Sequence, residues 1–157
     1  MLTKLSLLLN IILIAALGLG AYKFVIQGST TQTTDGRTAV LLSASERNFV
    51  LGEMRNFLET VQTITAAIGE NDMATISDIS RKIAVDDPAK MPAGLKGKLP
   101  LEFKTLGMDT HSLFISLAET AETAKSPQEV STALSGLMLN CTTCHAGYRL
   151  DVEPSGS

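Results

Sequence analysis

Both cysteines of this 157-residue chain, and one of its two histidines, fall within five consecutive positions: Cys141-Thr142-Thr143-Cys144-His145. Thiols three residues apart on a helix share a face, and a histidine at the next position joins them. Two thiols at that spacing reach the two vinyl groups of one porphyrin and form thioethers. The adjacent imidazole then falls beneath the iron as axial ligand. A C-x-x-C pair alone would equally suit a redox dithiol. The histidine that follows, the exported position argued below and the lack of a second cysteine pair favour one covalent haem c. Two cysteines also exclude a disulfide-dense scaffold, and a four-cysteine zinc site cannot be built from one chain.

No other constellation carries chemistry. Asp86-Asp87 and the remaining carboxylates read as loop or surface charge, so no enzymatic site is expected. The net charge is −3 and 18% of residues are charged. The basic stripe that nucleic acid requires is missing. With 45% hydrophobic residues, the chain has enough apolar surface for a core, which argues against disorder.

Elements must place the motif, and the first of them is not part of the globular domain. Leu5 to Ile26 is an apolar run with only Ser6, Asn10 and Lys23 clearly polar. As a helix it would extend about 33 Å, enough for a ~30 Å hydrocarbon core. Lys4 before it favours a cytoplasmic N-terminus, with the remainder across the membrane. Ala16-Leu17-Gly18 or Gly18-Leu19-Gly20 could serve as a signal-cleavage site. Apolar character continues past both, to Tyr22, Phe24, Val25 and Ile26, which favours an uncleaved anchor at 1–27. Gln27 to Arg37 is polar, Thr-rich and without apolar periodicity, and residues 28–42 are expected to form a flexible tether, with a turn at Asp35-Gly36.

Four helices follow, within a domain expected to cover 43–150. Ser43 and Glu46 form a capping box, and Val50, Met54, Phe57, Leu58, Val61, Ile64 and Ile68 make one apolar face, ending near Gly69. A second helix starts near Asn71 or Asp72, with Met73, Ile76, Ile79 and Ile83 inward, and stops at Asp86-Asp87-Pro88. A breaker-rich stretch to Pro100 allows at most a short turn. A third helix carries Leu101, Phe103, Leu106, His111, Phe114, Leu117 and Ala121, with a kink or split expected at Gly107. The fourth opens at Ser126-Pro127-Gln128-Glu129 and carries Val130, Leu134, Leu137, Met138, Cys141, Cys144, His145 and Tyr148. Nothing reads as a strand, and 151–157 is expected to be a disordered tail. The fold class is therefore all-α: an antiparallel up-down-up-down four-helix bundle behind one transmembrane helix.

The stretch Cys141-Thr142-Thr143-Cys144-His145-Ala146-Gly147-Tyr148-Arg149, at the end of a fourth helix, resembles the haem motif of the cytochrome c′ family. The resemblance covers residues 41–149. It implies that His145 is the proximal ligand, that Arg149 lies one turn on near the exposed ring face, and that Tyr148 takes the place of the aromatic before that arginine. In such a bundle the start of the first helix packs beside the end of the fourth. Met54, His111 and Met108 could then address the iron. Relatives with a methionine on the first helix are six-coordinate and low-spin, which would make Met54 the sixth ligand and the protein a carrier of single electrons between redox protein partners. Relatives with an apolar side chain there are five-coordinate and bind nitric oxide or carbon monoxide. Lys90, Lys96, Lys98 and Lys104 read as a solvated loop or as a docking patch for an acidic partner. The family also forms homodimers, for which this sequence carries no decisive signal. The expected setting is a single-pass protein of a bacterial inner membrane with its haem domain in the periplasm.

Overall fold

The computed structural model describes residues 2–85 and 90–154. The expected stop at Asp86-Asp87-Pro88 and the last residues of the expected tail lie outside them. Among the described residues six α-helices account for most of the chain, which is 76% helical, so the all-α reading holds in bulk. Helix α1 (Leu2–Ala21) continues through a π-helical segment, Tyr22–Gln27. The helical run Lys4–Gln27 is long and apolar enough to cross a membrane, and none of its apolar window is buried.

The chain then departs from the expected tether. Strands β1 (Thr30–Gln32) and β2 (Thr38–Leu42) form an antiparallel hairpin, with Thr30 opposite Val40 and Gln32 opposite Thr38. The Thr-rich composition that reads as a linker also suits a pleated surface, because threonine is β-branched. The turn at Asp35-Gly36 is where the sequence puts it. Gly36 adopts φ 85°, and the Asp35 carboxylate accepts hydrogen bonds from the Arg37 backbone N at 3.1 Å and guanidinium Nη2 at 2.6 Å. A third strand, β3 (Tyr148–Val152), lies parallel to β2, with Thr38 beside Tyr148 and Leu42 beside Val152. Part of the expected disordered tail is therefore strand. Pairing across more than a hundred residues leaves no local sequence signal.

Helix α2 (Ala44–Glu70) starts as expected. Glu46 N donates to Ser43 Oγ at 3.3 Å, and Ser43 N donates to Glu46 Oε2 at 2.8 Å. It runs through Gly69 and ends at Asn71, whose φ of 58° is left-handed, a conformation that asparagine tolerates. Helix α3 (Met73–Ala84) is capped by Asp72, which accepts from Thr75 N at 3.0 Å. Helix α4 (Leu95–Lys98) is the short turn allowed among the breakers. Helix α5 (Leu101–Thr123) passes Gly107 without a break, and α6 (Pro127–Gly147) begins at the expected proline. Helix α2 packs on α3 and α6, and α5 packs on the same two. Between them Ile64, Ile76, Phe114, Leu117, Val130 and Leu137 are fully buried. Leu58 is the exception on the α2 stripe: it is 68% exposed, on the outer face.

A second core closes the other end. Val40, Leu42, Leu95, Leu99 and Phe103 pack with Phe49, Val50, Met54, Cys144, Tyr148 and Leu150. Because β2 leads into α2 and α6 leads into β3, their parallel pairing brings the start of α2 beside the end of α6. Arg47 Nε of α2 donates to the Leu150 carbonyl at 2.9 Å.

Candidate functional site

Helix α6 presents Cys141, Cys144 and His145 in its last two turns, with both thiols free and half-buried and the imidazole exposed. Burial pushes the Cys141 thiol up, and burial together with the neighbouring Cys141 does the same for Cys144.

Cys144 and His145 open onto a cavity of about 330 Å³. Met54, Leu51 and Arg47 line it from α2, Phe103 from α5, Tyr148, Arg149, Leu150 and Asp151 from β3, and Arg37 from the hairpin. Met54 therefore shares one cavity with His145 and one apolar cluster with Cys144, although ninety residues separate them in sequence.

The other two candidate ligands lie elsewhere. His111 makes a 3.2 Å hydrogen bond between Nδ1 and the Ala84 carbonyl, and its ring stands edge-on to Phe57 at 5.2 Å. That places it with the helical core. Met108 is 70% exposed on α5.

Tyr148 and Arg149 need a correction of register. The helix ends at Gly147, and Tyr148 already has extended backbone angles. Arg149 is thus on a strand and not one helical turn beyond His145. Its guanidinium donates from Nε to Asp151 at 2.9 Å and from Nη1 to Asp35 at 3.4 Å. The Tyr148 hydroxyl donates to Glu102 at 2.9 Å, and its ring meets Phe103 edge-on at 5.5 Å. Burial, then the Glu102 carboxylate, pushes its pKa up to about 12.

Sequence reasoning missed Arg37, Arg47, Leu51 and Phe103 as cavity residues. Arg47 lies seven residues before Met54, two turns away on one face, so its place was legible once Met54 was suspected. Arg37 reaches the cavity only because the hairpin folds back. The lysines also divide. Lys98 is bound to Glu46 at 2.7 Å and also to Glu153, so it belongs to an ion-paired joint and not to an open patch. Among the described residues no cluster of three His, Cys, Asp or Glu side chains could hold a bare metal ion. The donor set at the cavity is instead one imidazole, one thioether and the Cys144 thiol, with Cys141 one turn earlier on the same helix and three arginines among the lining residues. That set suits an iron porphyrin held through its vinyl groups. No family model, curated protein or solved structure matches the chain.

Proposed function

We propose that this protein is a membrane-tethered monohaem c-type cytochrome of cytochrome c′ type that passes single electrons between redox proteins. One observation carries the reading: Met54 and His145 line the same cavity beside Cys144. Cys141 and Cys144 would hold the haem c, His145 and Met54 would be its axial ligands, and the haem would supply one-electron exchange. Arg47, which pairs with no carboxylate among the described residues, would supply positive charge for its propionates, whereas Arg37 and Arg149 are already paired with Asp35 and Asp151. Tyr148 and Phe103 present apolar ring surface to the same space. A thioether opposite the imidazole favours the ferrous state and gives a higher potential than two imidazoles.

The mutual packing of α2, α3, α5 and α6, with short links at Asn71-Asp72 and at residues 124–126, supports an antiparallel up-down-up-down four-helix bundle. The 24-residue span, with Lys4 as its first residue, supports a single-pass protein of a bacterial inner membrane, with the haem domain in the periplasm.

Replacing Cys141 and Cys144 with alanine in the full chain should abolish haem staining on a denaturing gel. Staining retained in that variant defeats the reading. The gas-binding alternative differs at one atom, the Met54 sulfur. A low-spin optical spectrum supports the electron carrier, and a high-spin spectrum in the unaltered protein supports the five-coordinate type.

A further inference from the structure

We infer that the site-bearing end of the domain rests on the membrane surface, seated on acidic lipid headgroups by Lys23, Lys96 and Lys104. This rests on the reading of Lys4–Gln27 as a membrane span, and not on what the cavity binds. The joint between span and domain is built, not slack. Gly28 is buried with φ 64°, and a Cβ there would lie 2.4 Å from the Lys98 carbonyl oxygen and 2.7 Å from Pro100 N. Ser29 N donates to the Lys98 carbonyl at 2.7 Å, and Leu41 N donates to the Ser29 carbonyl at 2.7 Å. Lys104 Nζ donates to the Val25 carbonyl, in the last turn of the span, at 3.0 Å. The span is thereby fixed to α4 and the start of α5. Phe103, which lines the cavity, follows Pro100 by one turn. The cavity end must then lie near the plane where the span leaves the bilayer.

The charges at that end fit the headgroup layer. Lys23 and Lys96 are exposed, and Lys104 sits against the span. Among the described residues none of the three forms an ion pair. Of the nearby carboxylates, Asp151 pairs with Arg149, Glu46 and Glu153 share Lys98, and Glu102 accepts from the Tyr148 hydroxyl and keeps its charge, so the three lysines outweigh what is left by a small margin. Each lysine near an anionic surface is worth roughly a fivefold gain in partition, falling as salt screens it.

A photoreactive benzoylphenylalanine at Gly97, where added atoms meet open space, reports this face. The same residue at exposed Lys125, at the far end of α5, is the control. The full chain is reconstituted in vesicles, and lipid adducts are read by mass. Adducts are expected at 97 and not at 125, with a higher yield when phosphatidylglycerol replaces part of the phosphatidylcholine. Lys23→Glu combined with Lys96→Glu, which leaves the Lys104 bond to the Val25 carbonyl in place, should remove that lipid preference. Inserting a flexible Gly-Ser segment between Gln27 and Gly28 keeps the buried joint but frees the span. Adducts at 97 should then persist on acidic vesicles and fall on neutral ones. Equal yields at 97 and 125, indifference to acidic lipid, or adducts at 97 with protein alone in native membranes would overturn the proposal. Haem staining of the same samples reports separately on the reading of the cavity.

Discussion

Met54 is the residue on which the proposed chemistry of the cavity turns. If its sulfur is the sixth ligand, Met54→Ala should convert a low-spin spectrum to high-spin and open the site to carbon monoxide. An unchanged spectrum would remove Met54 from the iron. His111 is a poor substitute, because moving it would abandon its bond to the Ala84 carbonyl and its contact with Phe57. Tyr148 gives a second test at this scale. Its folded pKa, near 12, lies above the ordinary value of 10.0. The neutral phenol is thus favoured by folding. Its contribution is complete below pH 10 and is lost as pH rises toward 12. Thermal unfolding should therefore show Tyr148→Phe less stable than the parent at pH 8, with the gap narrowing from pH 10 to 12. A constant gap would mean that the hydroxyl does not titrate with unfolding.

At the scale of elements, the joint after the span is the surprise. A Thr-rich linker became a hairpin because β3 supplies a parallel partner for β2, so all three strands are paired into one sheet. Gly28 is where this joint tolerates least. Gly28→Ala adds a Cβ against backbone atoms and forces a non-glycine residue to positive φ, at a cost of about 1–3 kcal/mol. The expected outcome in detergent is a lower unfolding midpoint and new protease cleavage near Ser29. Gly107→Ala, at a helical position with open space, should be neutral or stabilising. Equal behaviour of the two variants would mean that the joint is not close-packed. The lysine-rich stretch also resolves at this scale. Lys98 holds α4 to the buried Glu46 and to Glu153, so a charge reversal there would break a joint and not merely a surface patch.

For the whole molecule, the 24-residue helical run and the domain behind it predict behaviour in fractionation. The full chain should stay with membranes through an alkaline carbonate wash and enter solution only with detergent. A mature N-terminus near Ala21 together with release into the soluble fraction would instead mean a cleaved leader. The two cores divide the labour of the domain. The helical core of Ile64, Phe114 and Leu137 supplies apolar burial and lends no side chain to the cavity lining. The mixed core around Val40, Leu42, Leu99 and Phe103 shapes the cavity end and joins it to the span.

The sequence by itself determined the helices and the motif. Capping at Ser43 and Asp72, the proline at the start of α6, and apolar residues at helical spacing are local signals, read within a turn or two of the residues they govern. The C-x-x-C-H spacing is equally local, so Cys141, Cys144 and His145 needed no fold to be singled out. That Met54 lines the cavity could be expected only in combination, from its stripe together with the proposed antiparallel order of the helices. Leu58 lay on the same apparent stripe and went outward, because the width of an apolar face does not state where neighbouring helices will cover it. Only the tertiary structure decided the sheet, the committed state of Lys98, the arginines lining the cavity and the fixed exit of the N-terminal helix. Each depends on residues distant in sequence: β2 on β3, Arg37 on the hairpin folding back, Gly28 on the Leu99-Pro100 backbone. Such pairings are selected by mutual burial and hydrogen bonding in space, and a linear pattern holds no record of which distant backbone will meet which.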